Sequence, residues 1–204
     1  ECLCCSLLNN PKKLADHLLS GGGCLDTPSK FDPYHSGPKI LAEWHNPIES
    51  EEGFQVVIKS TLRWDCVERQ VRTIRKFYPT VEILIADDTW EELPDRLPPT
   101  LERIIQTPGV HWYQIEEDYG LPGSRNFLAQ QSSAEYVVNC DDDFVFTKET
   151  NIHSMISLLE GLPDADVVCG QVRMDGVHTE NWNGTFSFSE RKDGKLDMKI
   201  APIR

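Results

Sequence analysis

The chain has 204 residues, 39% of them apolar and 26% charged, and no run of about 18 apolar residues that would cross a bilayer as a helix. Its 33 acids outweigh 20 lysines and arginines, giving a net charge of −13. That balance repels polyanions and leaves no broad basic face for nucleic acid, so an anionic small ligand needs a bridging cation or a local cluster such as Arg72, Arg75 and Lys76.

The composition is that of one globular domain with appendages, and chain order says where they lie. Residues 1–53 hold three consecutive glycines at 21–23, prolines at 11, 28, 33, 38 and 47, and one short helix-like patch from Lys12 to Leu19. Such a density of breakers predicts a stem or linker arm. Four of the seven cysteines, Cys2, Cys4, Cys5 and Cys24, fall in this arm at a spacing that fits no zinc ligand set, and read as partial disulfides or plain thiols. The chain opens on Glu1 rather than Met, which predicts a processed product or a piece of a longer chain, with any targeting signal out of view.

From Phe54 the pattern changes. FQVVIKS (54–60) is a short run rich in β-branched residues and predicts a buried strand. WDCVERQVRTIRKFYP follows, with Asp65 and Glu68 spaced as a capping box, Val67, Val71, Ile74 and Tyr78 at helical intervals, and Pro79 as the stop. VEILIADD (81–88) predicts a second buried strand, so the three elements form a βαβ unit with parallel strands. The rhythm continues with RIIQ and VHWYQIE as candidate strands, GSRNFLAQQSS as a helix after Gly123, and EYVVNC (135–140) as a strand. KETNIHSMISLLEG predicts an amphipathic helix closed by Gly161, ADVVCG (165–170) another strand, and FSFSERKDGKLDMKI a hairpin turning at Asp193-Gly194. Cys140 and Cys169 each end an apolar run and read as buried small hydrophobes. The expected fold class is α/β, a mostly parallel sheet with flanking helices, in a domain spanning residues 54–204.

Two of the predicted strands end in acids, Asp87-Asp88 and Asp141-Asp142-Asp143. The ligand crevice of an open α/β sheet lies beyond the carboxyl ends of its strands, so both sets face that edge and require a compensating cation. Oxygen-only donors suit Mg²⁺ or Mn²⁺ rather than zinc, and an ion held by one or two carboxylates keeps positions open for phosphate oxygens. In an extended turn Asp141 and Asp143 project to one side and Asp142 to the other. A calcium loop beginning at Asp141 fails on spacing, since Phe146 and Ile152 stand where Gly and Glu are needed. The bland alternative is a solvated acidic loop with one residue acting as a helix cap.

The stretch FQVVIKSTLRWDCVERQVRTIRKFYPTVEILIADDT, followed by GLPGSRNFLAQQSSAEYVVNCDDDFVF, resembles the GT-A glycosyltransferases. The similarity is greatest to the β-1,4-N-acetylgalactosaminyltransferases that build ganglioside head groups, relatives of the inverting family 2. It covers about residues 54 to 172, and the ordered set RKFYPT, IADD, G-S-R-N-x-L and DDDFVFT makes it specific. The resemblance implies a GT-A donor half at 54–204 with most of the acceptor half missing. It implies that Thr61 lies against the nucleotide, that Asp88 accepts from uracil or ribose with Asp87 nearby, and that Arg125 and Asn126 border the donor. Asp141 and Asp143 would form the metal-binding Asp-x-Asp, with Asp143 ligating Mn²⁺ (or Mg²⁺) and Asp141 serving ribose or metal-bound water. The donor implied is a UDP-sugar, UDP-GalNAc in particular, transferred with inversion to a glycan or glycolipid hydroxyl. The compartment implied is the Golgi lumen, on a type II membrane anchor outside this chain, with which the Asn183-Gly184-Thr185 sequon is compatible.

The family's base and metal-site His lie well beyond the Asp-x-Asp, whereas this chain ends about 60 residues after it. Asp175, His178 and Glu180 read as a solvated loop, so no catalytic base is assigned. Plainer roles stay open at three positions: Asp87 as the cap of the following turn, Arg125 as the partner of Asp88 or a neighbouring acid, and Thr61 as a strand end. Two other functions compete. One is a GT-A-like domain that binds carbohydrate or nucleotide without catalysis. The other is a phospho-receiver module, opposed by the three adjacent acids and the complete strand–helix unit ahead of Asp87-Asp88.

Overall fold

The computed structural model describes residues 6–9, 37–50, 52–89, 96–116, 119–163, 165–170, 172–173, 184–190 and 196–202. In chain order the elements are β1 (Ser6–Asn9), β2 (Ile40–Asn46), β3 (Phe54–Ser60), α1 (Trp64–Phe77), β4 (Glu82–Asp87), α2 (Pro99–Ile105) and β5 (Val110–Ile115). They continue with α3 (Gly120–Gln131), β6 (Tyr136–Asp141), α4 (Ile152–Glu160), β7 (Val167–Cys169), β8 (Gly184–Glu190) and β9 (Leu196–Pro202).

Seven strands make one sheet in the order β2-β5-β4-β3-β6-β1-β7. The four central strands β5, β4, β3 and β6 are parallel, and β2 and β1 run antiparallel to their neighbours. This is the α/β, mostly parallel arrangement expected, and its central strands are buried along nearly their whole length. Alternation splits their side chains between two cores. Val56, Ile58, Ile83, Ile85, Trp112 and Val138 join Val67, Val71 and Ile74 of α1 on one face. Val57, Leu84, Tyr113 and Val137 meet Phe127 and Leu128 of α3 on the other. Tyr78 closes α1 by donating to Thr150 O and accepting from Ile152 N, both at 2.8 Å, which ties it to the start of α4.

Several expectations are corrected. Two segments of the stretch read as a linker arm, β1 and β2, are strands of the main sheet; the Lys12–Leu19 patch and the four N-terminal cysteines lie outside the described residues. RIIQ is the end of helix α2, which starts at Pro99, and only VHWYQI is a strand. Helix α3 begins at Gly120 rather than after Gly123. The capping box does not form: α1 starts at Trp64 with Arg63 as its cap residue, Glu68 turns to Arg103, and Asp65 accepts from Thr100. Cys140 is buried as expected, but Cys169 is exposed, because β7 lies at the sheet edge. The C-terminal hairpin pairs β8 with β9, and its Asp193-Gly194 turn lies outside the described residues.

Arg75 is not part of an anion site. Its Nε donates to Pro108 O at 3.0 Å and its Nη1 to Val81 O at 2.5 Å, and burial pulls its pKa down to about 10. Beside it Gly109 enters β5 at φ +76°, where a Cβ would stand 2.6 Å from Arg75 Nη2 and 2.7 Å from Ile48 Cγ2. Gly109→Ala is therefore expected to lower unfolding free energy by about 2 kcal/mol in urea melts, from backbone strain plus displaced neighbours. Gly53→Ala, at φ +72° with nothing within 4 Å, isolates the strain and should lose about 1 kcal/mol.

Candidate functional site

Strand β3 has β4 on one side and β6 on the other, so the strand order reverses there, and the carboxyl ends at such a reversal are where an open α/β sheet takes its ligand. Register brings Lys59 beside Asp141, and Ser60 beside Asp87. Alternation then sends Lys59, Asp88 and Asp141 to the α3 face, and Ser60 and Asp87 to the α1 face.

On the α3 face, Lys59 Nζ pairs with Asp88 Oδ1 at 2.8 Å and donates to Thr61 Oγ1, which itself donates to Asp88 Oδ1. Asp88 is buried, so this pair is largely hidden from water. Arg125 of α3 reaches Asp141 Oδ1 with Nη2. Burial pushes the Asp141 carboxyl above its ordinary pKa, against the lowering pull of Arg125.

On the α1 face, Asp87 is fully buried. Its Oδ2 accepts from Trp64 Nε1 at 2.6 Å, and its Oδ1 accepts from Thr89 N at 3.1 Å and from Thr89 Oγ1. Burial raises its pKa, while the bonds from Thr89 and Trp64 oppose the rise. Asp142 pairs with Arg63 Nη1 at 2.7 Å and accepts from Ser60 Oγ at 3.3 Å. Asp143 Oδ2 takes the other arm of the same guanidinium at 2.9 Å, and its carbonyl accepts from Arg69 Nη2 at 3.4 Å. Burial lifts the Asp142 carboxyl as well, with Arg63 opposing.

The expected pairing of Asp141 with Asp143 on one side is corrected. Strand β6 ends at Asp141 and the next two residues form a turn, so strand alternation stops there. Asp142 and Asp143 share Arg63, whereas Asp141 faces Arg125. Asp142 is also the most buried of the three, 6% exposed, rather than turned out to solvent.

Of the residues singled out from sequence, Thr61, Asp88, Arg125, Asp141 and Asp143 meet at this edge. Asp87 lies beneath it as the cap of its own turn, and half-buried Asn126 takes no part in these contacts. Asp175, His178, Glu180 and Asn183 lie outside the described residues. Sequence reasoning missed Lys59, Ser60, Arg63 and Trp64. For Lys59 a signal existed: a single charged residue in the otherwise uncharged run FQVVIKS, which must find a carboxylate if the strand is buried.

The carboxylates at this edge offer oxygen donors alone, which suits a hard divalent ion. Among the described residues no group of three His, Cys, Asp or Glu side chains is arranged to hold a metal. Oxygen donors of this kind suit an ion that one or two carboxylates share with phosphate oxygens and water.

Residues 55–202 match the family described as Glycosyl transferase family 2. The chain belongs to glycosyl transferase family 2. This membership removes the phospho-receiver reading. Over 118 residues the family 2 chain is 38% identical to "Beta-1,4 N-acetylgalactosaminyltransferase 1" of Rattus norvegicus, covering 58% of this chain and 20% of that protein. The Homo sapiens protein of the same name is 35% identical over 119 residues, with the same shares covered. "Beta-1,4 N-acetylgalactosaminyltransferase 2" of Mus musculus is 30% identical over 118 residues, which are 58% of this chain and 21% of that protein. The chain thus spans about a fifth of the length of the curated relatives it matches. Among solved structures, a crystal structure of S. aureus TarS 1-349 superposes with a TM-score of 0.42 at 22% identity, covering 52% of this chain and 33% of that one.

Proposed function

We propose that this family 2 domain binds a UDP-sugar with Mn²⁺ or Mg²⁺ at the β3–β4–β6 edge. Within the whole protein it transfers that sugar, with inversion, to a glycan or glycolipid hydroxyl. UDP-GalNAc is the donor we assign, since curated relatives matched at 35–38% identity are named N-acetylgalactosaminyltransferases. The observation that carries the reading is the meeting of two acidic strand ends at the sheet's reversal point, inside a family 2 match.

Both described contacts of the Asp88 carboxylate go to Oδ1, and Oδ2 is the atom we assign to the nucleoside, with Thr61 alongside. Asp141 and Asp143 are the residues that would hold the metal, each with one carboxylate oxygen beyond those engaged by Arg125 and Arg63. The bound ion supplies charge neutralisation on the diphosphate leaving group. Arg125 opposes the burial that raises the Asp141 pKa, and Asn126 borders the donor on the same helix. No base is assigned among these residues. The compartment we assign is the Golgi lumen, with a membrane anchor supplied elsewhere in the whole protein; among the described residues no helix is long and apolar enough to cross a membrane.

The test is a thermal melt with Mn²⁺, with UDP and with both. At ligand ten times its dissociation constant the pair together should add about 1.4 kcal/mol, or about 3–5 °C, and neither alone should match it. Asp143→Ala should lose that joint shift while melting close to the parent without ligands, because Asp143 is exposed. No joint shift in the parent chain, or an undiminished one in Asp143→Ala, overturns the metal-assisted site. Joint binding without sugar transfer by the whole protein would instead support the non-catalytic binding module.

A further inference from the structure

The cap residue of α1 is an arginine, and its side chain makes no cap hydrogen bond. A cation there opposes the positive end of the helix dipole, where Ser, Thr, Asp or Asn is the favoured occupant. Its position has another cause. The Arg63 fork bridges two carboxylates, with Nη1 on Asp142 at 2.7 Å and Nη2 on Asp143 at 2.9 Å. The preceding Leu62 is held at φ +55° and donates its N–H to Thr89 Oγ1 at 3.2 Å, which fixes the direction in which Arg63 leaves the strand.

The two arms differ in strength. The Asp142 side chain is 8% exposed and the Asp143 side chain 45%. A bond to a buried carboxylate is strong and its loss expensive, whereas a pair between two half-exposed groups is screened and worth little. The guanidinium is therefore anchored on Asp142 and labile on Asp143. A planar fork with one arm released suits a phosphate oxygen as well as a carboxylate, and the α1 N-terminus beside it favours an anion.

We propose that Arg63 is a two-position counter-cation, keeping Nη1 on Asp142 while Nη2 moves from Asp143 to the diphosphate, so that Asp143, with both carboxylate oxygens released, holds the divalent ion more tightly as the nucleotide arrives. This rests on the donor-site reading above. Arg63 is a positioning residue that links metal binding to diphosphate binding.

The test is calorimetric titration of the parent chain and Arg63→Gln with Mn²⁺ alone, and with UDP at saturating Mn²⁺. Arg63→Gln should bind Mn²⁺ alone about tenfold more tightly, having lost the competitor, and bind UDP about tenfold more weakly, having lost the phosphate contact. A merely structural arginine would weaken both or neither, and either result overturns the proposal while Mn²⁺-dependent UDP binding by the parent leaves the donor site standing. No Mn²⁺-dependent UDP binding by the parent overturns both. Should Arg63→Gln fail to fold, Arg63→Lys retains the charge that Asp142 requires and loses the fork. It should bind UDP more weakly with the fold intact by circular dichroism, and an unchanged UDP affinity overturns the proposal.

Discussion

Replacing Lys59 with methionine is expected to lower unfolding free energy by about 3 kcal/mol, read as a fall in urea midpoint at unchanged slope and about 6–12 °C in melting temperature. The reason lies in what is left behind. Lys59 and Asp88 have side chains 16% and 5% exposed, and among the described residues the Asp88 carboxylate would keep only Thr61 as a hydrogen-bond partner. The Coulomb gain of such a pair barely exceeds the desolvation of its two ions, but losing one member strands the other's charge in a dry site. The double variant Lys59→Met with Asp88→Leu should therefore recover about half or more of the loss, since both charges leave together. A single variant as stable as the parent, or a double variant worse than the sum of the singles, would show that Asp88 draws its compensation elsewhere. UDP binding should weaken in both, in the first because Asp88 is no longer oriented and in the second because it is gone.

The same pair explains which parts of this domain were legible in its sequence. β3, β4 and β6 announce themselves because parallel strands covered on both faces are continuous apolar runs, and acids at their ends can only belong to the crevice. β2 did not, because an antiparallel edge strand alternates between exposed and half-buried residues and this one lies in a stretch of chain breakers. RIIQ was misread because four apolar-rich residues carry no period; Pro99, a helix-start residue six positions before Ile105, was the stronger signal. Arg125 was open in the sequence as the partner of Asp88 or a neighbouring acid, and it takes Asp141, 16 residues on. Arg63 was beyond local reading, because it meets Asp143 across 80 residues and that encounter follows from strand order, which no local pattern encodes. The wrong side assigned to Asp142 came from extending strand alternation one residue past the point where β6 ends.

Asp87→Ala is expected to destabilise the fold by about 4 kcal/mol, because three donors lose their acceptor in a site closed to water: Trp64 Nε1, Thr89 N and Thr89 Oγ1. Asp87→Asn separates shape from charge. Its single oxygen can serve Thr89, but its amide then sets a donor against Trp64 Nε1, so about half of the loss should remain. The pH dependence distinguishes this account from loss of packing. Burial raises the Asp87 pKa in the folded chain above its unfolded value, so the fold binds this proton more tightly than the unfolded chain does. The resulting stability is fully present below the ordinary aspartate pKa, about 4, and is lost as pH rises through the folded value. The difference in unfolding free energy between the parent and Asp87→Asn should therefore be largest in acid and shrink as pH climbs from about 4. Urea melts of both at several pH values measure it directly. A difference that grows with pH would mean that the bonds from Trp64 and Thr89 outweigh burial, making Asp87 a carboxylate stabilised in its charged form.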